Sequence, residues 1–208
     1  MPVKLVYTTF MAVLVPFYWN AYGPTNFLYF CDVALFFTLV AVWTEKPIFA
    51  SMPAVGILLP QAVWCVDFFA SLFGFKMLGM TAYMFNEQNA LFARGLSFFH
   101  FWLPFFLVYL VWILRYDRRA WLFWTILAWC LLTICYLFLP SSPAPEGKSW
   151  MPVNVNYVYG MSDDAPQTWM PQWAWLTCLF VGMPILIFLP THFLLASLFP
   201  KRNRVALG

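Results

Sequence analysis

Between Thr25 and Trp43 the chain reads TNFLYFCDVALFFTLVAVW, nineteen residues among which Asp32 is the only charged side chain. That length and polarity match the ~20 residues a helix needs to cross a bilayer core. Lipid offers the backbone no hydrogen-bond partners, so such a run must satisfy its own polar groups, and a helix does that. Two further apolar runs carry one ionisable residue each: Asp67 within AVWCVDFF and His100 within LSFFHFWLP. Ionisable side chains at mid-membrane cost roughly 2.5–3.5 kcal/mol on insertion scales, which makes these three the first candidates for function.

The rest of the composition agrees with a membrane protein. A chain that is 63% hydrophobic and 9% charged is outside the range of ordinary soluble folds. Its abundant Trp and Phe suit interfacial belts and helix packing. The bases sit on short connections and the tail rather than on one broad face, so nucleic acid is not an expected partner. Cys31, Cys65, Cys130, Cys135 and Cys178 all fall in apolar runs without a CxxC pair, and read as small buried hydrophobes. Lys4 precedes an apolar stretch, as in a signal peptide. No small-residue cleavage site follows it, and a retained first helix is expected.

The pattern predicts an all-α fold, a single polytopic transmembrane domain over 1–208 with about six helices. They are expected near 5–19, 25–43, 53–73, 97–114, 120–139 and 173–199, separated by turn signals such as Tyr22-Gly23-Pro24 and the polar stretch Tyr116 to Arg119. The mixed segment 74–96 is expected along the interface, and 141–172 forms the longest polar loop. With six spans, Lys4, Lys46, Arg115, Arg118, Arg119, Lys201, Arg202 and Arg204 share one side, against Lys76, Arg94 and Lys148 on the other. Positive residues favour the cytoplasm, so both termini are expected inside and the 141–172 loop outside.

This topology sets depth. At ~1.5 Å per residue, Asp32 lies about 10 Å, Asp67 about 9 Å and His100 about 5 Å below the outer ends of their helices. All three fall in the outer half. Trp64 shares a helical face with Asp67, and Asn26, Tyr83, Asn154, Asn156 and Tyr157 are polar groups of the outer connections. Asp163 and Asp164 lie in the same outer loop. Together they describe an aromatic-walled pocket with a few convergent polar groups.

Each of these residues also has a structural reading. A membrane Asp can hydrogen-bond a neighbouring helix and hold a bundle together. His192, in LPTHFLL, reads as a structural histidine satisfied near Pro190, by Thr191 or an exposed carbonyl. Its depth differs from that of His100 by roughly 15 Å in a ~30 Å core, which argues against one haem held between them. Asp32, Asp67 and His100 are ligand types that suit zinc or iron, but HExxH and paired-His signatures are absent, so metal and cofactor stay unassigned. The GxSxG, P-loop and dinucleotide fingerprints are absent too.

The strings YGPTNFLYFCD, YMF, RGLSFFHFWLP, YDRRAW, NVNYVYG and LPTH, spread from Trp19 to His192, resemble a family of small bacterial integral membrane proteins. That resemblance implies the bacterial inner membrane and no particular reaction. A more distant likeness, resting on the mid-helix acid Asp32 and on His100 shortly before Leu103-Pro104, is to the androgen-induced type of six-helix intramembrane lipid hydrolases and related acyltransferases. The Thr nucleophile of that group has no counterpart, since Thr25 sits at the helix edge and Thr38 lies six residues beyond Asp32. The expected function is an enzyme on a lipid or isoprenoid-like substrate of the outer leaflet. His100 would act as acid and base, with Asp32 and Asp67 orienting it or holding a metal. The alternative is a non-catalytic partner of other membrane subunits, or a small carrier. A carrier would be expected to show two related halves with paired broken helices, and no such halves are evident.

Overall fold

The computed structural model describes residues 1–75, 77–147, 151–162 and 164–200. Lys76, Lys148, Asp163 and the tail bases Lys201, Arg202 and Arg204 lie outside the described residues.

Helices α1 (Pro2–Tyr22), α2 (Phe30–Thr44), α3 (Pro47–Leu72), α4 (Ala82–Phe85), α5 (Leu91–Ser97), α6 (Phe99–Leu114), α7 (Ala120–Phe138), α8 (Gln172–Gly182) and α9 (Leu189–Leu198) make up the described secondary structure, with 3₁₀ turns at Pro24–Leu28 and Val155–Tyr157. Five segments are long and apolar enough to cross a membrane: Pro2–Tyr22, Pro47–Leu72, Leu91–Leu114, Ala120–Phe138 and Gln172–Leu198. The sixth apolar helix, α2, has 15 residues. At ~1.5 Å per residue it spans about 22 Å, short of a ~30 Å core.

Several boundaries differ from the expected ones, each for a local reason. The α2 run does not begin at Thr25, because Pro24–Leu28 turns as a 3₁₀ segment and Tyr29 is extended. The helix starts where Asn156, 126 positions away, accepts a hydrogen bond from the Phe30 amide at 3.0 Å. Helix α3 starts six residues earlier than the expected Pro53, at Pro47, a first-turn proline whose missing N–H would be unpaired there in any case. It then runs through Pro53 and Pro60. The last span holds together across Pro184 and Pro190 through a π segment, Met183–Phe188, where Leu189 N–H donates to the Pro184 carbonyl. A wider turn of this kind relieves the clash an α-helix would have around an internal proline.

Side-chain contacts define the two ends of the bundle. At one end Lys4 meets Glu45 at 2.7 Å, Asp117 N–H donates to Ser51 Oγ at 2.9 Å, and the Tyr116 hydroxyl lies 2.7 Å from His192 Nδ1. The Lys4 ammonium holds the Glu45 carboxyl below its usual range. His192 is thus satisfied by Tyr116, while Thr191 bonds back to the Ile187 carbonyl. At the other end lie the connection 23–29 and the described parts of the connections 73–90 and 139–171. Tyr18 pairs with Ser97 at 2.8 Å, and Trp175 Nε1 donates to the Tyr157 carbonyl at 2.8 Å.

Helix α3 is central and packs on α2, α6, α7 and α9. Leu14, Leu35, Val55, Phe99, Leu103, Leu107, Val111 and Trp124 are fully enclosed around it. Large apolar side chains such as Phe105, Trp112, Leu137, Phe138, Leu186 and Phe193 face outward, as expected for helices whose solvent is lipid.

A smaller apolar cluster, Leu132, Cys135, Leu139, Val155 and Val158, seats the long loop on α7. Asn156 pins that loop in place: besides capping Phe30, it donates to the Leu28 carbonyl at 2.8 Å. The Asn156 backbone has a positive φ of 59°, so Asn156→Gly removes the side chain without adding strain. That variant is expected to lose about 2 kcal/mol of stability. Faster hydrogen exchange at the Phe30 amide is the readout, and unchanged exchange there would show that the cap is dispensable.

Candidate functional site

The 3₁₀ turn at Pro24–Leu28 carries Asn26 back over the start of α2. Its Nδ2 donates to Asp32 Oδ2 at 3.3 Å, and the Cys31 thiol lies 3.9 Å from the same oxygen. Asp32 is buried, and its Oδ1 has no partner in the protein. A buried carboxyl oxygen without a hydrogen-bond partner is a costly arrangement and sets Asp32 apart from Asp67.

Helix α6 carries His100. Its Nδ1 is 2.8 Å from the Ser97 carbonyl. A carbonyl only accepts, so Nδ1 carries the proton and Nε2 holds the lone pair. The imidazole stacks on Trp64 of α3, with centroids 5.2 Å apart and planes inclined by 22°, and on Phe99 at 4.1 Å. Trp64 is buried, and its Nε1–H has no completed hydrogen bond. The Tyr83 hydroxyl lies beside that nitrogen. Tyr83 comes from α4, outside the spans. Burial pushes its hydroxyl well above the usual tyrosine range, and the nearby Cys31, Asp32 and Tyr157 add to the effect.

Asn26, Asp32, Trp64, Tyr83 and His100, from five different elements, are thus linked at the loop-rich end, with Tyr157 near Tyr83. Two residues not singled out from the sequence join them. Tyr18 bonds Ser97, the residue that also holds His100. Cys31, which read as a small buried hydrophobe, turns its thiol to the Asp32 carboxylate. Its position next to the mid-helix acid was the one sequence signal that could have set it apart from the other four thiols. Cys65 also lies near His100, but its thiol meets the His100 backbone carbonyl, at 4.0 Å.

The other three expected site residues have different work. Asp67 is fully buried and spends both oxygens on the connection that follows it. It accepts from Leu78 N–H at 2.7 Å, Gly79 N–H at 3.2 Å, Thr81 N–H at 2.9 Å and Thr81 Oγ1–H at 2.8 Å. Asn154 organises its own loop, donating to the Gly160 and Ser162 carbonyls and accepting from Tyr159 N–H. Asn156 serves as the pin already described. No group of three or more His, Cys, Asp or Glu side chains stands together as a metal-ligand set among the described residues.

The arrangement offers a thiol next to an acid, an imidazole with a free lone pair, and an indole N–H that lacks an acceptor. Comparison with protein families, with characterised proteins and with solved structures finds no match to this chain.

Proposed function

We propose that the protein is a multi-pass enzyme of the bacterial inner membrane that cleaves or transfers the acyl group of a lipid ester, with Cys31 as nucleophile and His100 as acid and base. Both termini are cytoplasmic in this reading, and the site opens to the outer leaflet. The base count favours that orientation. The observation that carries the proposal is the meeting of the Cys31 thiol with the half-satisfied Asp32, beside the Trp64–Tyr83 pair on which His100 stacks.

The step balances as follows. His100 Nε2 takes the thiol proton, the Cys31 sulfur attacks the ester carbonyl carbon, and the carbon–oxygen bond to the alcohol breaks. The imidazolium returns its proton to the departing alkoxide. Water or a second hydroxyl then attacks the thioester, with His100 again as base, and the thiol is restored. Asp32 orients the thiol and balances the imidazolium charge. The Trp64 Nε1–H and the Tyr83 hydroxyl supply donors for the carbonyl oxygen as it gains charge. Asp67 takes no part beyond holding the 77–81 turn that precedes Tyr83.

The test is to incubate the purified protein in lipid nanodiscs with an ester lipid and to follow free fatty acid and the mass of the Cys31 peptide. An acyl adduct on Cys31 is expected, with turnover abolished in Cys31→Ala and lowered about 10²- to 10⁴-fold in His100→Ala. Cys65→Ala is expected to match the parent. Turnover by a well-folded Cys31→Ala protein at the parent rate would overturn the assignment.

A further inference from the structure

The connection that follows α3 turns back along that helix. Asp67 lies five residues before the end of α3 at Leu72, about 7 Å inward at ~1.5 Å per residue. Its carboxylate accepts from the Leu78, Gly79 and Thr81 amides, so the turn that carries them sits at that depth and not beyond the helix end. The Thr81 hydroxyl also lies 3.2 Å from that of Ser71, within the last turn of α3. With 26 residues α3 is about 39 Å long, roughly 9 Å more than a ~30 Å hydrocarbon core. Centred on that core, it places Asp67 and the turn at the hydrocarbon margin.

The apolar side chains of this connection are left uncovered. Phe73, Phe75, Met77 and Leu78 are 74%, 69%, 56% and 60% exposed, and they continue the exposed apolar face of α3 at Phe69 and Leu72. A contiguous patch of this kind marks a surface that meets another molecule or a membrane. The backbone beneath it is well paired. The Phe73 and Gly74 amides donate to the Phe69 and Ser71 carbonyls, and the Phe75 amide donates to the Ala70 carbonyl at 2.9 Å. Beyond them, the 78, 79 and 81 amides meet Asp67. Lipid supplies no partner for a backbone amide, so a turn can approach it only when the protein itself satisfies the turn's polar groups. The Asp67 carboxylate does this. Lys76 is the single charged residue in the 73–81 sequence, and the apolar stem of a lysine suits a membrane interface.

We infer that residues 73–81 form a wedge in the leaflet at the loop-rich end, with a phospholipid bilayer as the bound partner. Phe73, Phe75, Met77 and Leu78 reach the upper acyl chains, and Asp67 is the positioning residue that holds the turn at the boundary between headgroups and chains.

The experiment is photolabelling of the protein in nanodiscs of phosphatidylcholine whose acyl chain carries a diazirine, with the adducts mapped by peptide mass spectrometry. Phe105, on the outward face of α6, is the lipid-facing reference, and the exposed polar residues Asn86, Glu87 and Gln88 are the water-facing one. Labelling within 73–78 is expected to come within about threefold of that at Phe105 and to exceed that at 86–88 about tenfold. In Asp67→Ala, labelling within 73–78 is expected to fall about threefold or more, while Phe105 keeps its yield and so reports that the spans remain inserted. Labelling of 73–78 no greater than that of 86–88 in the parent would overturn the wedge and leave the patch as a face for a protein. Parent-level labelling in Asp67→Ala would overturn the positioning role of the carboxylate.

Discussion

A Gly56→Ala variant is expected to lose about 3 kcal/mol of stability, the upper end of what overpacking a core usually costs. Gly56 sits where α3 meets α7. A Cβ built on it would lie 1.9 Å from both Nε1 and Cε2 of Trp124. The indole has little room to retreat. Trp124 is fully buried, with Phe37 edge-on at 6.1 Å and Phe30 at 6.4 Å on the α2 side. The helices must part to admit one methyl group, which gives up contacts along both. Small residues at helix crossings allow this close approach in membranes, where no hydrophobic force drives helix pairing. Thermal unfolding in detergent gives the loss, and a double-mutant cycle identifies its cause. Trp124→Ala alone is expected to cost about 3–5 kcal/mol. Adding Gly56→Ala to it should cost almost nothing, because the clash is gone. Additive losses would mean that the glycine is needed for something other than the indole.

The second large effect is expected at Asp67. Asp67→Ala leaves the Leu78, Gly79 and Thr81 N–H groups and the Thr81 hydroxyl without their acceptor. Hydrogen bonds to a charged acceptor contribute about 1.5–3 kcal/mol each, and part of that is recovered when water reaches the turn, so a net loss of about 3 kcal/mol is expected. The loss should be local. Hydrogen exchange at 77–81 and proteolysis within 75–90 should rise well before α3 itself loosens. Tyr83 follows this turn directly, so lipid turnover is expected to fall as well, in proportion to the disordered fraction. Protection at 77–81 that matches the parent would show that the turn holds its shape without the carboxylate.

The membrane character, the helical class and the approximate spans were legible from the chain, because hydropathy is a local sum over residues that are adjacent in sequence. The helix expected at 120–139 is found at Ala120–Phe138 with almost no adjustment. The start of α2 was not legible in the same way, since its cap comes from Asn156 in a loop more than a hundred residues later. Nor was the start of the fourth span, placed at Ser97 and found at Leu91, because Arg94 inside α5 gives that turn the look of a loop.

Asp32, Asp67 and His100 carry the same sequence signal, an ionisable residue inside an apolar run, and the chain alone gives no reason to rank them. Depth could be estimated from helix rise, and His192 does lie at the other end, against Tyr116. Rotation about the helix axis could not. Rotation and loop placement decide that Asp67 meets four donors while Asp32 keeps an unpaired oxygen beside a thiol. They also bury Gln61 on α3 with neither end of its amide hydrogen-bonded. What the sequence by itself determined is where the chain can leave water, since transfer free energy adds up residue by residue along it. Which buried polar groups are satisfied was decided only by the tertiary structure, because a hydrogen bond depends on the distance and direction between groups that the chain keeps far apart.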